Sequence, residues 1–246
     1  MIGGMAKTGI LIHVYHLEAV NWQELAWGIP QEDRLGSVTK FVDVLLDIPA
    51  EDEVTSLIYN GPSIKDGLGE GGYTKRFLLD RLAQLGDFET LKQKLEALDH
   101  RARETFEKRV QDLSVEASIK NTYEEITHAA AVFGQNPAPQ KVLQIASAGH
   151  APRCMHNQVI ARRDGFIKKG QPWYVVATDT TFPGSQLEDV LIIEPPSRGD
   201  DPLVGFSPTL GSTLKSFFGL SGDAKKRVIS AIATTMDEAK QSDLSN

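Results

Sequence analysis

The sequence predicts a three-layer α/β fold, a doubly wound and mainly parallel sheet, and three observations carry that reading. Short β-branched and aliphatic runs recur between stretches whose apolar residues step by three or four. Those runs are nearly continuous in apolar character, as strands covered on both faces are. No low-complexity linker divides the 246 residues. Strands that alternate with helices pair in parallel through crossovers, so residues 1–246 are expected to form a single Rossmann-like domain.

Gly9 to Tyr15 opens the fold as a central strand. A loop rich in tryptophan and acids follows (Trp22, Trp27, Gly28, Pro30, Asp33), and then Leu35, Val38, Phe41, Val42, Leu45 and Leu46 mark a helix. The unit repeats: Val54 to Tyr59 is a strand, Asn60 to Gly72 a loop, and Tyr73 to Leu85 a helix stopped at Gly86. Residues 87–111 break the rhythm with a charged stretch whose apolar positions, Phe88, Leu91, Leu95, Leu98, Ala102, Phe106 and Val110, step helically. This helical insertion is expected to pack on the sheet edge as an addition the sheet can do without; a lid or an oligomer contact is the other reading. Asp112 to Glu116 is the next strand, Asn121 to Phe133 a helix, Lys141 to Ala146 a strand and Pro152 to Arg162 a helix. Trp173 to Thr178 and Val190 to Glu194 bring the expected strands to about six. The remaining 201–246 is a helical extension that starts at Asp201-Pro202 and ends in a helix over Asp223 to Lys240.

Composition excludes several classes. The hydrophobic fraction of 41% and charged fraction of 24% are those of a globular chain. The 33 acidic against 26 basic residues, a net charge of −7, leave no positive field for a nucleic-acid duplex. The apolar run at Ile10 to Tyr15 is too short to span a membrane and lacks the flanks of a signal peptide. The lone Cys154 forms no internal disulfide. A cytoplasmic protein with no membrane partner is the expectation, and a homo-oligomer is compatible with it.

In doubly wound sheets, ligands bind beyond the carboxyl ends of the strands. Four loops there carry polar residues. The first holds His16, Asn21, Trp22 and Trp27, and the second Asn60, Ser63, Lys65, Asp66 and Glu70. The third reads Glu116-Ala-Ser118-Ile-Lys-Asn121-Thr122 and ends at a helix N-terminus, where free amides favour an anion, although Asn121 is also an ordinary helix cap. The fourth reads Ser147-Ala-Gly-His150-Ala-Pro-Arg153-Cys154, in which His150 can move a proton near neutral pH and Arg153 can grip a phosphate or carboxylate. His13 and His16 make no metal pair, because their spacing at a strand end sends them to opposite faces, and no metal site is expected. Cys154 reads as a buried structural thiol. No phosphate-binding P-loop and no G-x-G-x-x-G follow the first strand, which removes support for Walker-type ATP hydrolysis and standard NAD chemistry.

Glu116-x-Ser118-x-x-Asn121-Thr122-Tyr123-Glu124, followed after a strand by Ser147-x-x-His150-x-x-Arg153, resembles the paired motifs of the ElyC/SanA/YdcF family of bacterial α/β domains. The resemblance covers roughly residues 9 to 200 and is looser before residue 112. There the chain offers Asp33-Arg34, then Tyr59-Asn60-Gly61-Pro62-Ser63 and Glu70, but no glycine-rich first turn. It implies a Rossmann-like fold and a polar pocket lined by Ser118, Asn121, Thr122, Ser147, His150 and Arg153. Members of the family are associated with cell-envelope functions or with binding S-adenosylmethionine.

Two functions follow as expectations. The first is an enzyme, a hydrolase or transferase, acting on a phosphorylated or nucleotide-like small molecule: a phosphate ester or a nucleotide-sugar. Asn60, Ser63, Ser118, Asn121, Thr122, Ser147 and Arg153 would hold the anionic ligand, His150 would act as general acid or base, and Glu116 or Glu70 would orient it or activate water. The second is a module that binds a nucleotide or S-adenosylmethionine without turnover.

Overall fold

In the computed structural model, the described residues are 6–19, 21–135, 138–147 and 149–180, with Ala224, Lys226, Arg227, Ser230 and Thr234 beyond them. The chain divides into two compact units, Met1–Phe182 and Pro183–Asn246, and every element below belongs to the first. The expected strand at Val190 to Glu194 and helix start at Asp201-Pro202 lie outside the described residues. Of the expected terminal helix, those residues that are described are helical.

Strand β1 (Lys7–Ile12) leads into a short helix α1 (Trp22–Ala26), a small hairpin of β2 (Gly28–Ile29) and β3 (Arg34–Leu35), and helix α2 (Ser37–Leu46). Strand β4 (Glu53–Asn60) is followed by a second small hairpin, β5 (Ile64–Lys65) and β6 (Leu68–Gly69), and by α3 (Glu70–Leu79). Two helices, α4 (Glu89–Glu96) and α5 (His100–Gln111), precede β7 (Ser114–Ser118). The remainder alternates: α6 (Thr122–Phe133), β8 (Lys141–Ala146), α7 (Ala151–Arg163) and β9 (Trp173–Ala177).

The five longer strands form one all-parallel sheet in the order β7-β4-β1-β8-β9. The chain therefore builds outward from β1 through β4 to β7, then returns to the other side of β1 for β8 and β9. The reversal leaves a crevice between the carboxyl ends of β1 and β8, the place where such sheets take ligands.

Strand periodicity of two divides the core. Ile10, Ile12, Ile58 and Ile145 face a layer formed by Val38, Phe41 and Leu45 of α2, Phe77 and Leu78 of α3, and Leu91, Phe106 and Val110 of the helix pair. Leu11, Leu57, Tyr59 and Val142 face the opposite layer, Ile126, Ala129, Ala130 and Phe133 of α6 with Ala161 of α7. The fold is thus the expected three-layer α/β arrangement. No helix among the described residues is long and apolar enough to cross a membrane.

Two expectations are corrected. The 87–111 stretch is a helix pair, but it is not an edge addition: Phe88, Leu91 and Val110 are fully buried in the same cluster as Phe41 and Trp27. The Phe88 ring meets the Trp27 ring at 5.9 Å, and Lys94 ties α4 to α2 through Asp43 and Asp47 at 2.7 and 2.6 Å. Its apolar stripe completes the layer over α2, so the sheet is not covered without it. Helix α3 runs over Glu70–Leu79 instead of Tyr73 to Leu85, and 3₁₀ turns follow it at Leu82–Asp87. Gly71 and Gly72 read as loop because glycine disfavours helices. A Cβ on Gly71 would stand 2.6 Å from the Tyr59 carbonyl, so the close approach of α3 to β4 demands the residue that hides the helix.

Candidate functional site

At the β1–β8 crevice the sequence places polar residues on two strand ends and two helix starts. His13 follows the last residue of β1, and its amide still donates to the Ile145 carbonyl at 2.9 Å. It shares the face of Leu11, so its side chain enters the α6–α7 layer, where it is wholly buried. Its Nδ1 lies 2.5 Å from Glu125 Oε2 on α6, and its Nε2 lies 3.2 Å from Gln144 Oε1 on β8.

The protonation of this imidazole follows from a row of amides. Gln158 Nε2 donates to the Trp173 carbonyl at 2.9 Å, and that oxygen can only accept. Gln158 must then offer its Oε1 to Gln144 Nε2, 3.1 Å away, which turns Gln144 Oε1 toward His13. With an amide oxygen at one ring nitrogen and a carboxylate oxygen at the other, His13 donates from both. Burial alone would strip the proton from His13, but the neighbouring Cys154 and Glu125 outweigh it and hold its pKa well above the ordinary value.

His150 stands beside it, with ring centroids 5.3 Å apart and planes tilted by 60°. Its Nε2 is 3.1 Å from Thr122 Oγ1, the hydroxyl of the first residue of α6. His150 is shifted the other way: burial of the ring, then the charges of His13 and Arg153, push its pKa well below the ordinary value. Adjacent imidazoles thus differ, one held as the cation and one held neutral. The turn that carries His150 is closed by the Ser147 carbonyl, which accepts from the His150 and Ala151 amides at 2.9 and 2.8 Å. The Ser147 amide donates to the Tyr15 hydroxyl at 2.6 Å, which fixes the loop after β8 to the loop after β1.

Among the residues singled out from sequence, Thr122, Ser147, His150 and Arg153 gather at this crevice. The others do not join them. Glu116 lies on β7, three strands from β8 and so about 14 Å away at ordinary strand spacing; its carboxylate accepts from Ser114 Oγ at 2.6 Å. Glu70 is buried at the start of α3, beyond β4, where its Oε1 accepts from the Ser63 hydroxyl at 2.5 Å and the Ser63 amide at 3.2 Å. Gly61 makes room for that carboxylate, since a Cβ there would stand 1.6 Å from Glu70 Oε2. Neither carboxylate orients His150; Glu125, which the sequence reading passed over, is the acid of this site. Asn60 spends its side chain within the β4 side of the rim, donating to the Glu116 carbonyl at 3.1 Å and accepting from the Gly72 amide at 3.0 Å. Ser118 is exposed at the end of β7, opposite Asn60.

Asn121 caps α6: its side chain accepts from the Glu124 amide at 3.0 Å, while Glu124 reaches back to the Lys120 amide at 3.0 Å. Asn121→Ala is expected to cost about 1 kcal/mol of stability in urea unfolding. Ligand affinity should be nearly unchanged, which separates the cap from a pocket residue.

His13, Glu125, Gln144 and Tyr15 are the site residues that the sequence reading did not assign. The strand ends at Ile12, before both histidines; His13 is buried and His16 exposed. The usable signal was position: an ionisable residue directly after the first strand of a doubly wound sheet faces the switch-point crevice. Compared with protein-family models, with curated proteins and with solved structures, the chain matches none.

Proposed function

We propose that the protein is a hydrolase or transferase acting on a phosphorylated or nucleotide-like small molecule at the β1–β8 crevice, with His150 as the proton-transferring group. One observation carries this reading: a neutral, half-buried His150 whose Nε2 meets the Thr122 hydroxyl at 3.1 Å, beside a buried His13–Glu125 pair. Titratable neighbours pushed in opposite directions are the pattern by which acid and base roles are divided.

In the Nδ1–H tautomer, His150 Nε2 accepts from Thr122 Oγ1. From that state His150 takes the proton of the attacking oxygen, that of Thr122 or of a water molecule, and returns it to the departing oxygen. Arg153, one turn into α7, supplies the charge that grips the anion. His13 stays protonated throughout; burial of the His150 ring, with the charges of His13 and Arg153 added to it, keeps His150 neutral and ready to accept. The same four residues, Thr122, Ser147, His150 and Arg153, belong to the motif pair that resembles the ElyC/SanA/YdcF family, and membership of that family is part of this proposal.

The test is a thermal-shift screen of phosphorylated metabolites, nucleotides, nucleotide-sugars and S-adenosylmethionine, followed by product analysis of every stabilising compound. A ligand at a hundred times its Kd is expected to stabilise by about 2.7 kcal/mol. Stabilisation with product formation supports the enzyme. Stabilisation by a nucleotide or by S-adenosylmethionine without product replaces it with the binding module, and no stabilisation by any compound overturns both.

A further inference from the structure

Threonine hydroxyls inside helices turn back onto a carbonyl of the preceding turn. Thr127, in the middle of α6, does so and donates to the Glu124 carbonyl at 3.1 Å. Thr122 is the first residue of the same helix and has no helical turn behind it. Its Oγ1 goes instead to His150 Nε2 at 3.1 Å, and it has no other hydrogen-bond partner among the described residues. The pair is not sealed off: Thr122 is 7% exposed and His150 is only half-buried.

Both ends of a closed circuit stand on α6. Thr122 and Glu125 are three positions apart and so share one face of the helix. Thr122 meets His150, the His150 ring packs on His13 with centroids 5.3 Å apart, and His13 returns to Glu125 at 2.5 Å. One helix thereby carries a hydroxyl and, through His13, braces the imidazole that faces it. In the Nδ1–H tautomer, Nε2 has a single lone pair, and the Thr122 hydroxyl takes it. A water molecule could reach that nitrogen only by displacing the hydroxyl already there.

Resting on the hydrolase or transferase reading above, we infer that Thr122 is the nucleophile, that the substrate is a phosphate ester, and that the reaction is a double displacement through a phosphoryl group on Thr122. In the first step Oγ1 bonds to phosphorus, the bond from phosphorus to the leaving oxygen breaks, and the Thr122 proton passes to His150 Nε2 and on to that oxygen. In the second step water, or the hydroxyl of an acceptor, bonds to the phosphorus and gives its proton to Nε2. The bond from phosphorus to Oγ1 breaks, and Oγ1 takes the proton back. Nothing is oxidised or reduced, and both side chains end as they began. Phosphoryl transfer is loose and asks little of its base, so a weakly basic imidazole suffices. Once protonated between His13 and Arg153, that imidazole is a strong acid toward the leaving oxygen.

The test uses full-length protein and two chromogenic probes, 4-nitrophenyl phosphate and bis(4-nitrophenyl) phosphate. Acid quenching during turnover, followed by peptide mass spectrometry, is expected to find the phosphoryl group on Thr122. Thr122→Ser, which keeps a hydroxyl, is expected to form the adduct as well. Thr122→Val, of nearly the same shape, is expected to form none and to lose turnover by a factor on the order of 10² or more. Turnover by Thr122→Val within about tenfold of wild type overturns the nucleophile and makes water the attacking oxygen, with His150 still the base. Loss of turnover in Thr122→Val with no adduct in wild type or Thr122→Ser also overturns it and leaves Thr122 a positioning residue. No release of 4-nitrophenolate from either probe overturns the inference by itself, while the reading beneath it is decided by the metabolite screen.

Discussion

His150→Gln is expected to reduce turnover of the proposed substrate by a factor on the order of 10² to 10⁴, while binding stays within about tenfold of wild type. Glutamine keeps a polar group near Thr122 Oγ1 but cannot take a proton. The affected term is therefore kcat, and the ligand keeps its contacts with Arg153. Parallel calorimetric binding and single-turnover measurements decide the matter: equal losses in affinity and rate would make His150 a ligand holder. The substitution has a second signature. The folded-state pKa of His150 lies below its unfolded value, so as pH falls below about 6.5 the unfolded chain binds a proton that the folded chain refuses, and stability drops. His150→Gln removes that acid-side loss.

The largest effect on stability is expected at Glu125. His13 is wholly buried and Glu125 nearly so, with side-chain exposures of 0% and 12%. Removing one partner of a buried ion pair leaves the other charge uncompensated, and Glu125→Gln is expected to cost about 3 to 5 kcal/mol in urea unfolding near pH 6. The sign of the pH dependence identifies the cause. The folded-state pKa of His13 is raised, so the pair's contribution is fully present below about pH 6.5 and is lost as pH rises through the folded value. The groups facing the ring are Glu125, Gln144, Cys154 and His150. Together, His13 and His150 place a stability maximum near pH 6.5 in the wild-type protein. Glu125→Gln should shrink its alkaline limb, leaving the part that Cys154 contributes, and keep the acid limb, the reverse of His150→Gln. A uniform loss at all pH values would mean that Glu125 acts through packing alone.

The sheet was readable because its strands and helices are long enough to show a period. Lys141 to Ala146 appears in the structure with the bounds read from sequence, and α6 and α7 differ by a residue or so at their ends. The segment between Leu17 and Ser37 was not readable. A five-residue helix and strands of two residues are too short to display a pattern, and their positions are set by long-range contacts such as the Leu35 amide on Asp179 Oδ2 at 3.1 Å. The motif residues Thr122, Ser147, His150 and Arg153 were legible as a group because each stands at a strand end or a helix start. His13 was not, because its partners Glu125 and Gln144 lie 112 and 131 positions away along the chain. Sequence supplied two nearby carboxylates instead, Glu116 and Glu70, and only the strand order shows that they stand on the wrong side of the rim.

The amides that link His13 to Trp173 give the outermost described strand a hold on the charge at the centre of the sheet. Every member donates in the same sense, away from His13, so the oxygen ends of both glutamines point back at the imidazolium. The row behaves as a ratchet with a single permitted orientation, locked by a backbone carbonyl at its far end. Release that carbonyl, by loosening β9 or by replacing Gln158 with leucine, and Gln144 regains the freedom to turn its amide over and present N–H to His13. The histidine then loses an acceptor without any change in its own surroundings on β1 or α6. A disturbance at the sheet's edge is thereby converted into a change of basicity two strands away.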